Sequence, residues 1–151
     1  MEKFCVQSLI GPIEVQIIND RVESISKASR YYTNKKLSNI ASSIKKQLED
    51  YLWGHSKNFK FEIADKGTTF QKKVWQHLRK IPFGQTQTYS QIAKQIGHPG
   101  AARAVGTACG KNPWLLFVPC QRVIAANGTL GGFALGLNAK SKLLKLEQEK
   151  K

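Results

Sequence analysis

The chain opens with short segments in which apolar and polar residues alternate. Residues 3–10 and 13–18 have this period of two, which is typical of half-buried strands, and a Gly-Pro turn at 11–12 separates them. An Asn-Asp turn at 19–20 leads to a third segment that begins at 22–25. The pattern predicts an antiparallel meander.

The period then changes to that of a helix. Residues 34–52 carry apolar side chains every third or fourth position, and Gly54 provides a stop signal. The polar stretch 54–58 is the best candidate for a domain boundary. We therefore expect a small α/β N-terminal domain over residues 1–57, made of a small antiparallel sheet plus a helix. A short alternating segment at 59–63 predicts one further strand that closes it.

The remainder, residues 58–151, has mainly helical periodicity. A first helix begins near two threonines at 68–69 and stops at the Ile-Pro-Phe-Gly segment 81–84. A final helix near the end of the chain can be capped by Asn138 or Ser141.

A helix-turn-helix pattern lies between these two helices. Thr88 or Ser90 can cap its first helix, the Gly-His-Pro-Gly segment 97–100 is a tight turn, and Ala101–Cys109 forms its second helix. The predicted fold class is therefore a small α/β N-terminal domain followed by a mainly α C-terminal domain with a helix-turn-helix.

Charge and composition narrow the function classes. The sequence has 24 Lys plus Arg against 10 Asp plus Glu, a net charge of +14, which favours a polyanionic partner such as nucleic acid. No stretch approaches the roughly 20 apolar residues of a membrane span. The three cysteines have no paired spacing, so neither a disulfide framework nor a metal site is expected.

One cysteine occupies an unusual position. Pro119 precedes Cys120 and cannot donate a backbone hydrogen bond, so it should end regular structure and leave the thiol at a rigid corner. Gln121 and Arg122 follow, and they do not suit an apolar pocket. We expect the charge of Arg122 to favour the thiolate, which makes Cys120 a candidate nucleophile.

The predicted second helix of the helix-turn-helix has an unusual surface. Nearly all residues of Ala101–Gly110 are small, and Arg103 is the single long side chain. Such a surface favours either close packing against another helix or close approach to a DNA groove, with Arg103 as the probe.

Four segments of the second half carry a specific pattern of order and spacing. They are FQxxVWxxLxxIPxGxTxTYxxIA at 70–93, AARAVG at 101–106, NP at 112–113 and PCxRV at 119–123. Together they resemble the O6-alkylguanine-DNA alkyltransferases, also called methylated-DNA–protein-cysteine methyltransferases. The resemblance covers about residues 60–147, whereas the N-terminal part fits only in general architecture.

This resemblance implies direct DNA repair without a cofactor or metal. Cys120 would take the alkyl group from O6 of guanine, or from O4 of thymine, by in-line displacement, and the thioether is permanent, so each molecule acts once. Tyr89 would assist the leaving guanine. Glu147 matches the family's glutamate, which orients a histidine that takes the cysteine's proton through a water.

The resemblance also implies how DNA is held. The target nucleotide has to rotate out of the duplex, Arg103 would fill the space that it leaves, and Ala101 and Ala102 would lie in the minor groove. Asn112 would brace the hinge between this helix and the active site, and both Asn112 and Arg122 would contact DNA. The implied lesion pocket consists of Tyr89, Val123, Phe133 and Ala134.

The sequence departs from the family at the residue after the nucleophile. Gln121 stands where the family usually has His, and an amide has no useful proton affinity near neutral pH. Loss of a positioned base costs a factor of roughly 10²–10⁴ in rate, although a thiol ionises readily enough to need less help. We expect Gln121 and Glu147 to hold a water that passes the proton on. Phe133 and Ala134 also lack hydroxyl groups that many members have at these positions.

These inferences predict a monomeric cytoplasmic protein that contacts no membrane and whose partner is double-stranded DNA containing O6-alkylguanine. One alternative is a lesion-recognition DNA-binding protein with weak or no transferase activity because of Gln121, although relatives of that kind lack the cysteine. Another is a helix-turn-helix regulator with an inert Cys120. A regulator would be expected to carry several polar base readers, whereas Ala101–Gly110 offers Arg103 and Thr107.

Overall fold

The computed structural model describes residues 1–133 and 135–151. They form an N-terminal unit, Met1–Asp65, and a C-terminal unit, Lys66–Lys151. In chain order the elements are β1 (Glu2–Val6), β2 (Ile13–Ile18), β3 (Arg21–Lys27), α1 (Asn39–Leu52), α2 (Thr69–Leu78), β4 (Gln87–Thr88), α3 (Tyr89–Gln95), α4 (Ala102–Gly110), a 3-10 turn (Cys120–Arg122), β5 (Val123–Ile124) and α5 (Leu137–Lys150).

The N-terminal unit contains the predicted antiparallel meander, with strand order β1-β2-β3. Alternation along β2 produces its two faces, because Ile13, Val15 and Ile17 are buried while the residues between them are partly exposed. β1 is shorter than predicted, because the chain turns where Gly11 donates its N–H to the carbonyl of Ser8 at 3.0 Å.

The helix of this unit begins later than its apolar period indicated. Ser38 ends the preceding segment, since its hydroxyl accepts the N–H of Ala41 at 3.1 Å, and the Glu2 carboxylate in turn accepts the Ser38 hydroxyl at 2.6 Å. α1 therefore starts at Asn39, and its buried face includes Leu48.

The segment after α1 belongs to the N-terminal unit. Ile63 forms an isolated bridge with Val22 of β3, and the Phe59 ring packs on a tyrosine of α1 with ring centroids 5.4 Å apart. These contacts extend the unit to Asp65, beyond the boundary after residue 57 that the polar stretch indicated. The strand predicted over this segment is reduced to the single bridge.

In the C-terminal unit, two capping boxes fix where helices begin. The Thr68 side chain accepts the N–H of Gln71 at 3.1 Å, and the Gln71 side chain accepts the N–H of Thr68 at 2.9 Å. Thr88 and Gln91 make the same reciprocal pair before α3. Each box satisfies two N–H groups that the first turn of a helix leaves without partners.

The predicted helix-turn-helix is present as α3 and α4. Gly97 and Gly100 lie in the connecting turn with φ of +83° and +87°, a region that other L-residues rarely adopt. Trp75 of α2 anchors α4 from behind by donating its indole N–H to the carbonyl of Ala108 at 2.9 Å. The fold class predicted from sequence is confirmed.

A small parallel pairing was not predicted. β4 pairs with β5 through Gln87 with Val123 and Thr88 with Ile124. Each strand has two residues, too few for any periodicity to reveal them. The pairing joins the residues just before α3 to those just after the Cys120 turn, and so brings the first residue of α3 towards the cysteine.

α5 begins without either of the predicted side-chain caps. Its N-cap residue is Gly136 with φ of +92°, whose carbonyl accepts the N–H of Lys140 at 3.1 Å, so Asn138 and Ser141 both lie inside the helix. The chain enters α5 through a conformation that favours glycine. Among the described helices, none is both long and apolar enough to cross a membrane.

Candidate active site

Cys120 lies at a sharp corner after a buried apolar run, as the preceding proline indicated. Asn112 braces this corner. Its side-chain nitrogen donates to the carbonyl of Val118 at 2.9 Å and to Sγ of Cys120 at 3.2 Å. Its side-chain oxygen accepts the N–H of Trp114 at 2.9 Å. All three bonds lie within the hinge, which supports the bracing role, while a DNA contact by Asn112 stays a prediction.

A cavity of about 650 Å³, hereafter the Cys120 cavity, reaches the thiol from the surface. This volume lies in the usual range of small-ligand sites. It brings together residues from two helices, α3 and α4, from the cysteine turn, and from the glycine-rich loop that contains Gly131 and Gly132. Those that matter below are Tyr89, Arg103, Gly106, Cys109, Cys120, Gly132 and Phe133.

The small-residue face of α4 forms one side of this cavity. Arg103 is exposed and Ala102 is half-buried, and both line the cavity, while Ala101 is the N-cap residue just before them. Val105 and Ala108 are the buried residues of α4 and pack into the unit. The face that carries Arg103 is therefore open rather than packed, which favours approach to DNA over close helix packing.

Tyr89, the first residue of α3, lies against the glycine-rich loop, and Tyr89 and Gly132 of this loop both line the cavity. Gly131 has φ of +70°, and a Cβ atom there would lie 2.9 Å from the Tyr89 hydroxyl, so the loop can approach the tyrosine only with glycine at this position. Burial raises the pKa of Tyr89. Phe133 lines the same cavity, whereas Ala134 lies outside the described residues.

The Cys120 thiol has a second thiol as its neighbour. Its Sγ donates to the carbonyl of Cys109 at 3.5 Å, and Cys109 lines the same cavity. The hydrogen bond with the Cys109 thiol, together with burial, raises the pKa of Cys120. The Asn112 amide and the Lys140 ammonium act in the opposite direction. The two thiols therefore titrate as a pair.

Glu147 is the centre of a buried polar network behind the cysteine. Its carboxylate accepts the Gln121 amide at 2.9 Å and two guanidinium N–H groups of Arg122 at 2.8 and 3.0 Å. The remaining terminal nitrogen of Arg122 donates to the carbonyl of Ile81 at 2.8 Å. The direct bond between Gln121 and Glu147 joins the two side chains that we expected to share a water.

Two expectations for Arg122 are wrong in this geometry. Its side chain is only 9% exposed and its charge is matched by the Glu147 carboxylate, so it is not available to a DNA phosphate. For the same reason it does not act as the free positive charge beside Cys120. The sequence indicated a cation next to the nucleophile, but the side chain turns inward.

The residue that sequence reasoning missed is Lys140. It is fully buried, and its Nζ donates to the carbonyls of Val123 and Gly132. Val123 is itself buried, and among the described residues it is not one of those that line the cavity, so its part in the lesion pocket stays a prediction. The sequence signal that indicated a buried Lys140 was its spacing along the final helix, because Lys140 shares a helix face with the buried Leu143 and Glu147.

This arrangement defines a class of protein: a helix-turn-helix protein whose recognition helix borders a cavity that ends on a buried cysteine. The family described as 6-O-methylguanine DNA methyltransferase, DNA binding domain, matches residues 69–149. The chain belongs to this family.

Two curated relatives carry the same name. The methylated-DNA–protein-cysteine methyltransferase of Methanosarcina acetivorans is 55% identical over 102 residues, 68% of this chain and 65% of that protein. The protein of the same name from Mycobacterium tuberculosis is 50% identical over 104 residues, 69% of this chain and 63% of that protein. The match thus spans just under two thirds of the length of these relatives.

Solved structures extend the likeness to the whole chain. The crystal structure of Mycobacterium tuberculosis OGT in complex with DNA is 38% identical, has a TM-score of 0.88, and covers 99% of this chain and 94% of that chain. A structure of O6-methylguanine-DNA methyltransferase from Pyrococcus kodakaraensis, 22% identical with a TM-score of 0.62, shares the fold.

Proposed function

We propose that the protein repairs O6-alkylguanine in double-stranded DNA by transferring the alkyl group irreversibly to Cys120. The observation that carries the proposal is the position of the Cys120 thiol in a cavity bordered by the exposed face of α4. The names of the relatives and the DNA complex of the Mycobacterium tuberculosis protein support it. The acceptor, Tyr89 and residues of the recognition helix all line one cavity of a single chain, so we propose that the protein acts as a monomer. We also propose that it acts in the cytoplasm.

DNA binding precedes the chemistry. The net charge of +14 favours phosphate contacts. Ala102 and Gly106 give α4 only short side chains on the cavity side, which allows the helix to approach a groove closely. Arg103 is the long side chain on this face. The target base leaves the stack to enter the Cys120 cavity, and Arg103 takes the vacated space.

The transfer is an in-line displacement. Cys120 gives up its proton, its thiolate attacks the alkyl carbon, and a C–S bond forms while the C–O6 bond breaks. The electrons of the broken bond pass to the base, which takes up one proton and leaves as guanine. Because burial raises the pKa of Tyr89, its hydroxyl stays protonated at neutral pH and can donate to a ring nitrogen of the leaving base.

Deprotonation of Cys120 is the demanding step. Gln121 cannot accept a proton, and the Cys109 thiol and burial both raise the pKa of Cys120, so the thiolate fraction is small at neutral pH. We therefore expect the transfer rate to increase with pH until the thiol is fully ionised.

The test is the intact mass of the protein after incubation with a duplex that carries one O6-methylguanine. A gain of one methylene unit per molecule is expected for the wild type and for Cys5→Ala, which removes a buried cysteine of the N-terminal unit. No gain is expected for Cys120→Ser. Tight binding to the damaged duplex without a mass gain would replace the proposal with lesion recognition. An equal gain in Cys120→Ser would assign the acceptor elsewhere.

A further inference from the structure

Lys140 occupies a position that opposes a positive charge in two ways. Its side chain is 0% exposed, and an ammonium loses its hydration when it is buried. It also lies near the N-terminus of α5, where the helix dipole disfavours cations. A lysine at such a position requires strong compensation from its surroundings.

Part of the compensation comes from two backbone carbonyls that accept hydrogen bonds from Lys140. Nζ donates to the carbonyl of Val123, which directly follows the Cys120 turn, and to that of Gly132 at 2.9 Å. Gly132 lines the Cys120 cavity. Lys140 therefore ties the strand after the nucleophile to the glycine-rich loop, and so holds in place a loop that lines the Cys120 cavity.

The ionisable groups that act on Lys140 come from three elements. Cys109 belongs to α4, Cys120 to the turn, and Tyr89 to α3, with its ring centroid 6.0 Å from Nζ. Each of these three groups is neutral when protonated and negative when ionised, so none of them adds positive charge beside Lys140. Arg122, the other cation at this turn, is already matched by Glu147.

We propose that Lys140 is a positioning residue that supplies the positive charge supporting the Cys120 thiolate, the support that Gln121 and the paired Arg122 do not provide. This role deepens the proposed function and rests on it, because it matters to repair only if Cys120 is the alkyl acceptor. The thiolate, once formed, lies in a site where the lysine charge is already buried and held in place by two carbonyls, so little solvent reorganisation is needed to stabilise it.

The titration of the two partners agrees with this arrangement. The Lys140 charge lowers the pKa of Cys120, against the larger opposite effects of the Cys109 hydrogen bond and burial. Reciprocally, burial lowers the pKa of Lys140, while the Cys109 and Cys120 thiols raise it. Lys140 and the two thiols thus favour one another's charged forms, and the effect of Cys109 on the pKa of Lys140 is larger than that of Cys120.

The experiment compares Lys140→Gln with Lys140→Arg. Glutamine can still donate to both carbonyls but carries no charge, whereas arginine keeps the charge. Lys145→Gln is the matched control, since Lys145 is an exposed lysine of the same helix. Carbamidomethylation of Cys120 by iodoacetamide, in which the thiolate displaces iodide, is measured by peptide mass across a pH series without DNA and reports the thiol pKa. Methyl transfer from an O6-methylguanine duplex is measured across the same series.

Lys140→Gln should slow carbamidomethylation of Cys120 about tenfold at neutral pH, corresponding to a pKa rise of about one unit, and the loss should vanish at alkaline pH. Lys140→Arg should recover most of the rate, and Lys145→Gln should match the wild type. An unchanged pH profile in Lys140→Gln, or an equal loss at every pH, would overturn the proposal. Lys140→Met, which removes both charge and donors, gives the same readout if Lys140→Gln fails to fold.

The two assays separate the two proposals. If the wild type transfers no methyl group while Lys140→Gln still shifts the carbamidomethylation profile, repair fails and the role of Lys140 stands. If transfer occurs and its pH profile is the same in Lys140→Gln, repair stands and the role of Lys140 fails.

Discussion

Replacing Glu147 by Gln should destabilise the C-terminal unit strongly. The carboxylate accepts three hydrogen bonds, one from Gln121 and two from Arg122, and the two side chains of the ion pair are 1% and 9% exposed. An amide in its place has one oxygen to accept and turns an NH2 group towards N–H donors. The substitution therefore leaves the Arg122 charge buried without its counter-charge.

Removing one partner of a buried ion pair costs about 3–5 kcal/mol. The total stability of a domain is about 5–15 kcal/mol, so Glu147→Gln should remove a large part of it. The control is Glu149→Gln, which neutralises an exposed carboxylate of the same helix and should change the free energy of unfolding by no more than about 0.5 kcal/mol.

Urea unfolding followed by tryptophan fluorescence measures the effect. In a Trp53→Phe background the signal comes from Trp75 and Trp114, both in the C-terminal unit, and Trp53 is exposed, so its replacement should cost little. If Glu147→Gln were as stable as Glu149→Gln, the buried ion pair would not be holding this unit together and the reasoning would be refuted.

Three further outcomes follow from the site. Gln121→His should speed transfer more at low pH than at high pH, because it adds a proton acceptor where deprotonation limits the rate; a change independent of pH would contradict this. Cys109→Ala should lower the pKa of Cys120 and speed its carbamidomethylation by iodoacetamide at neutral pH, since the thiol that raises that pKa is gone. Gly131→Ala should lower the free energy of unfolding by about 1–3 kcal/mol and slow transfer, because it strains a positive φ and places a Cβ against the Tyr89 hydroxyl. The control is Gly132→Ala, which has open space around its Cβ and should lower the melting temperature less.

Local patterns in the sequence determined much of the fold. The period of two in β2, the helical period of α1, and the cap residues Thr68 and Thr88 act within a few residues of themselves, so reading them requires no knowledge of the rest of the chain. The same holds for Pro119 before Cys120, since a proline limits its own backbone wherever it occurs.

Partnerships between distant residues were decided only by the tertiary structure. Arg122 and Glu147 are far apart in sequence and meet because α5 packs behind the Cys120 turn, which turned an expected DNA contact into a buried ion pair. The short β4–β5 pairing and the burial of Lys140 have the same origin. Sequence periodicity shows that a residue faces inward, whereas the identity of its partner depends on which elements pack together, and that choice is made by the whole unit.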